Sequence, residues 1–164
     1  MTRTNASGIA LLEVLIVATL LAIALLGLAS MQTSSMHFSH SAYNHTQAAL
    51  LGQEIIERMR SNRAAASAGI YANERIAPES LPAAPLCPDQ TCDSDEVARG
   101  DIRRWGEKIF MTLPDATATL HFDAEQQSYD VVLRWTERGA TTPEATCLQT
   151  AADNIACLRL QAQP

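Results

Sequence analysis

The chain has 164 residues, 47% of them hydrophobic and only 5% aromatic, with a formal net charge of −6. That length allows one modest domain core beside a membrane segment. An acidic balance without a basic patch argues against nucleic-acid binding as the main task of the chain itself.

A short polar leader is followed by an apolar run from Ile9 to Ala29. Leu, Ile, Val and Ala fill its 21 positions except at Glu13, Thr19 and Gly27. As a helix the run would extend roughly 31 Å, about one hydrocarbon thickness. Arg3 and the amino terminus are the only positive groups before Arg58, so positive-inside bias puts the leader in the cytoplasm and the rest outside. Glu13 is the informative residue. A carboxylate at the centre of a membrane helix costs about 2.5–3.5 kcal/mol on insertion scales, less near an end, and marks a function whose partner must be found. An ordinary cleaved secretory signal could end at Gly27-Leu28-Ala29, but its apolar region would be long and would hold an acid. A plain anchor gives Glu13 no task. A lipoprotein would need a cysteine near the end of the run, and none is there.

Beyond the run, Gln47 to Arg60 places Ala48, Leu51, Ile55 and Met59 at steps of three and four, which predicts an amphipathic helix. No proline occurs before Pro78, so one helix can run from Ile9 to about Asn62, roughly 80 Å. Gly27 and Ser30 are its expected weak points. His37, His40 and His45 fall on this helix without an acidic ligand, and a polar juxtamembrane stretch describes them better than a metal site. Ser61 to Ala68 is small and polar, and Gly69 is a plausible helix end. Ala77 to Cys92 carries four prolines, which exclude a regular helix or central strand there. A short helix follows, with Ala98, Ile102, Trp105 and Ile109 on one face, ending at Leu113-Pro114. The period then changes to two, at Ala116 to Phe122 and at Tyr129 to Thr136, with residues Asp123 to Ser128 as a hairpin loop. Ala156 to Gln161 makes a third strand. Three antiparallel strands with one apolar face need a cover, and the amphipathic helix supplies it.

Cys87, Cys92, Cys147 and Cys157 all lie beyond the membrane run. In an exported small domain an even number favours disulfides. Four cysteines allow three pairings, and proximity favours Cys87–Cys92 and Cys147–Cys157. Four residues separate Cys87 from Cys92, whereas a thioredoxin-like redox motif has two. No nucleophile elbow, phosphate loop or zinc-protease motif is present, so no catalytic residue, cofactor or metal is expected. A rival of another class is a signal-anchored thiol enzyme using Cys87 and Cys92.

Gly8-Ile9-Ala10-Leu11-Leu12-Glu13-Val14-Leu15 resembles the signal of the type IV pilin-like family. The resemblance implies that a prepilin peptidase cuts between Gly8 and Ile9, that the new N-terminus is methylated, and that the apolar helix is kept. Glu13 then becomes the fifth residue, the position that pairs with the N-terminal amine of a neighbouring subunit. The family usually has Phe where this chain has Ile9. Loss of Arg3 with the leader would take the net charge from −6 to −7. The implied organisation is a leader at 1–8, a transmembrane and assembly half at 9–30, and a periplasmic pilin domain at 31–164. The implied fold is α+β: a long N-terminal helix on a small antiparallel sheet with disulfide-stapled loops.

The Cys-x₄-Cys loop, the helix with Asp101 and Trp105, and the Val131–Trp135 strand, in that order, resemble the PilV type of minor pilin. That resemblance implies a priming or tip complex with other minor pilins and the major pilin. It also implies residence in the inner membrane before assembly and at the cell surface after it, and support for a PilY-type adhesin. The runner-up is an I-like minor pseudopilin of a type II secretion system.

Overall fold

A computed structural model describes residues 6–84, 92–141 and 153–163. Helix α1 runs without a break over Ala6–Ser61, through both Gly27 and Ser30. Contacts divide the chain into two compact units, Met1–Ala42 and Tyr43–Pro164. The first is the outer part of α1, where every side chain from Leu11 to His40 is exposed. The second is an α+β domain, and its elements follow from the sequence patterns.

Within that domain the end of α1 buries the predicted stripe: Ala48, Leu51, Ile55 and Met59 are all 2% exposed or less. A short helix α2, Arg63–Ser67, follows, in a stretch expected to be irregular although its three alanines favour a helix. It ends as expected at Gly69, where φ is +77°. Gly69 N–H donates to Ala66 O and Ile70 N–H to Ala65 O, each at 3.0 Å. This paired closure needs a left-handed residue that glycine adopts without strain.

Strand β1, Asn73–Ile76, is an addition to the expected three strands. It is four residues long and irregular in register, too short to show a period of two. A single 3₁₀ turn at Pro78–Ser80 opens the proline-rich stretch. Helix α3 spans Ser94–Thr112 and starts four residues before the first apolar position of its stripe. Asp93 begins it: its carboxylate accepts from Glu96 N–H at 2.7 Å, and Glu96 accepts from Asp93 N–H at 3.3 Å. This reciprocal box satisfies two orphan groups at the helix start.

Strands β2 (Thr117–Asp123), β3 (Ser128–Thr141) and β4 (Asp153–Ala162) complete an antiparallel sheet in the order β1-β2-β3-β4. The expected hairpin is present with a tighter turn, because Asp123 and Ser128 pair with each other. Asp123 caps that turn by accepting from Glu125 and Gln126 N–H. Tyr129, Val131, Leu133 and Trp135 point into the core, alongside Ala118 and Leu120 of β2. Val132 is on the opposite face, yet fully buried. On the same outward face Arg159 holds Asp130 through two hydrogen bonds, at 2.8 and 3.2 Å.

Candidate functional site

The exposed apolar part of α1 is the candidate assembly surface. Among the described residues α1 is the one helix long and apolar enough to cross a membrane. Its polar groups divide into two kinds. Thr19 turns its hydroxyl back onto Leu15 O at 3.0 Å and Ile16 O at 2.8 Å, and Thr33 donates to Ala29 O. Such hydroxyls are satisfied inside their own helix and are compatible with lipid. Glu13 is exposed and meets no hydrogen-bond or ion-pair partner among the described residues. Gly8 and Ile9 lie on the first turns of α1.

The domain half of α1 is held by directional bonds as well as by packing. Trp105 of α3 is fully buried and donates its indole N–H to Leu51 O at 2.7 Å. Gly52 lies where α1 meets the sheet, and a Cβ there would fall 2.4 Å from Leu160 Cδ1. Asp101 of α3, itself buried, accepts from Arg58 at 2.8 Å, Tyr71 at 2.8 Å and Arg104 at 2.9 Å. Arg58 also donates to Glu54 at 2.8 Å, and Lys108 donates to the other Glu54 oxygen at 2.6 Å. The cluster thus ties α1 to α3 with every buried carboxylate answered.

Electrostatics follow this geometry. Partial burial works to raise the Glu54 carboxyl, but hydrogen bonds from Lys108 and Arg58 hold it below its ordinary value. Burial, and then the bond to Asp101, push the Tyr71 hydroxyl up. Tyr129, whose hydroxyl donates to Ala66 O at 2.9 Å, is pushed to about 12 by burial. Burial lowers Arg134, which donates to Thr119 Oγ1 at 3.3 Å. These are the marks of a structural lock.

Two of the histidines behave differently from the third. Among the described residues His37 meets Phe38 of its own helix, edge-on at 6.3 Å, and His40 is exposed. His45 stands edge-on to Trp135 at 4.9 Å, with Nε2 3.8 Å from Glu137 Oε2. Trp135 donates to that same oxygen at 2.9 Å. His45 therefore packs where α1 meets β3, a role its sequence context did not announce. Among the described residues no group of three potential ligands could hold a metal ion. No described cysteine is free. Cys92 precedes α3 and Cys157 lies on β4, while Cys87 and Cys147, and with them the pairing, lie outside the described residues.

Residues 30–103 match the family model described as Tt1218-like, type IV pilin Tt1218. The match to this type IV pilin family runs from the outer part of α1 into α3, a little under half of the chain. No curated protein and no solved structure matches. The long helix followed by a four-stranded antiparallel sheet is consistent with the type IV pilin fold. The match supports a pilin-like function, and the apolar N-terminal helix fits membrane anchoring. Glu13 and strands β2 to β4 lie outside the matched stretch.

Proposed function

We propose that this chain is a minor pilin of a type IV pilus, of the PilV type. A prepilin peptidase cuts between Gly8 and Ile9 and the new N-terminus is methylated. The subunit waits in the inner membrane with its domain in the periplasm. It then joins other minor pilins and the major pilin in the complex that starts assembly and carries a PilY-type adhesin. Cys87–Cys92 and Cys147–Cys157 staple the domain. The match of residues 30–103 to a type IV pilin model supports the pilin part of this reading; the PilV type, the cleavage and the staples rest on the resemblance and spacing of the sequence.

The chemistry of Glu13 supplies its mechanism. Alone in lipid, the carboxylate is costly. Cleavage at Gly8 frees an α-amine on Ile9, and the amine of an adjacent subunit answers Glu13 in the filament. A charge pair in an apolar setting is tolerated and fixes register, whereas an unanswered charge is strongly unfavourable. Assembly is therefore favoured over the isolated state at this residue.

N-terminal mass spectrometry of the purified protein tests the reading. The expected first residue is N-methylated Ile9. A start at Ser30 means that the apolar helix has been discarded as a secretory signal, and it overturns the proposal. Glu13→Gln should leave the domain folded and reduce incorporation into sheared pili. A deletion strain that keeps surface pili and twitching but loses exoprotein secretion favours the pseudopilin instead.

A further inference from the structure

We infer that Gly27 is the point where the backbone of a neighbouring subunit's N-terminal helix comes closest to α1. This rests on the pilin reading above and adds to it a contact residue. A glycine inside a helix is less favourable than alanine by about 1 kcal/mol, so its retention calls for a use. Two other helical glycines have that use within the chain. A Cβ at Gly52 would lie 2.4 Å from Leu160 Cδ1, and one at Gly106 would lie 2.5 Å from Leu81 Cδ2. At Gly27 a Cβ would meet nothing within 4 Å, and the residue is exposed. Nothing described in this chain needs its missing side chain.

The helix geometry places Gly27 on the same side as Glu13. Gly27 stands fourteen positions after Glu13, and at 3.6 residues per turn the two are about 40° apart around the axis. Glu13 has no partner among the described residues, and it requires a cation from outside. The occupant that supplies one in lipid is the free α-amine of a second pilin-type helix. Charge complementarity therefore names the occupant, and it brings that helix to the face that carries Gly27. Helices in lipid associate by close packing, and small residues let their backbones approach. Local softness of α1 is the competing use for this glycine.

Gly27→Ala and Gly27→Leu in the full-length chain separate the two, read as the amount of this subunit in sheared pili relative to the amount processed in the membrane. Alanine removes softness and adds one methyl group; leucine blocks close approach. The expected result is that Gly27→Ala stays within about twofold of the parent, while Gly27→Leu falls about tenfold, a change of roughly 1.4 kcal/mol. Equal loss in both variants assigns Gly27 to softness and overturns the inference. Wild-type incorporation of Gly27→Leu overturns it as well. Failure of the pilin reading looks different: the parent chain itself is absent from sheared pili or does not begin at Ile9.

Discussion

From Leu11 to His40 every side chain of α1 is exposed, whereas from Asn44 to Met59 the same helix buries a residue at every turn. One unbroken run of helical backbone thus serves two settings. In the first, the surface as far as Ala29 is apolar all round except at Glu13 and Thr19, and the hydroxyls of Thr19 and Thr33 are satisfied by carbonyls of the preceding turn. In the second, the apolar stripe is narrow, and indole, guanidinium and carboxylate groups from α3 fasten it. The difference teaches that continuity of secondary structure says little about what holds it. The outer part requires an environment that the described chain does not supply, while the inner part brings its own.

Substitutions that fall in only one of these settings test the contrast. The largest effect is expected for Trp105→Ala, which removes a fully buried indole and its bond to Leu51 O. A loss of about 3–5 kcal/mol follows from emptying such a site, read by urea unfolding of the full-length protein in detergent. Asp101→Asn should cost about 2–3 kcal/mol, because Arg58, Arg104 and Tyr71 lose a shared charged acceptor. The same unfolding measurement reads it. Gly52→Val should cost about 1–3 kcal/mol by forcing Leu160 aside. Gly27→Ala should leave domain unfolding within about 0.5 kcal/mol, as expected away from packed sites. If the two glycine variants destabilise the domain equally, the contrast between the settings is lost.

The smallest effect is on pH dependence. The Glu54 carboxyl is held below its ordinary value of 4.5. A depressed folded-state value contributes stability that is present above the unfolded value and disappears as pH falls through the folded one. The urea midpoint should therefore be steady from neutral pH down to about 5, then fall in the acid range. Glu54→Gln should make that acid fall shallower.

Much of this architecture was legible because its signals are periodic. Ala48, Leu51, Ile55 and Met59 repeat at helical spacing and are buried, as are Ala98, Ile102, Trp105 and Ile109. The alternation from Tyr129 to Trp135 marked the core face of β3 correctly. Short or contextual features were less legible. β1 has four residues and an irregular register, so no pattern could form. α2 has only five residues, too few for a period to show, although its three alanines favour a helix. The Asp93-x-x-Glu96 spacing does signal a helix start, and following it would have placed α3 earlier. At the candidate site, the oddity of Glu13 needed only the sequence. The seating of His45 against Trp135 required knowing which strand lies beneath α1, since ninety residues of chain separate the two. The role of Gly52 likewise exists only once Leu160 lies across from it.

The box between Asp93 and Glu96 has a practical corollary. Both orphan groups it satisfies are answered inside α3's own first turn, and Asn62, just past the end of α1, donates to Ser94 O at 2.7 Å and ties that turn to the long helix. The start of α3 is therefore set by its own first residues together with the end of the long helix, so a change at Asn62 would reach a helix more than thirty positions further along the chain.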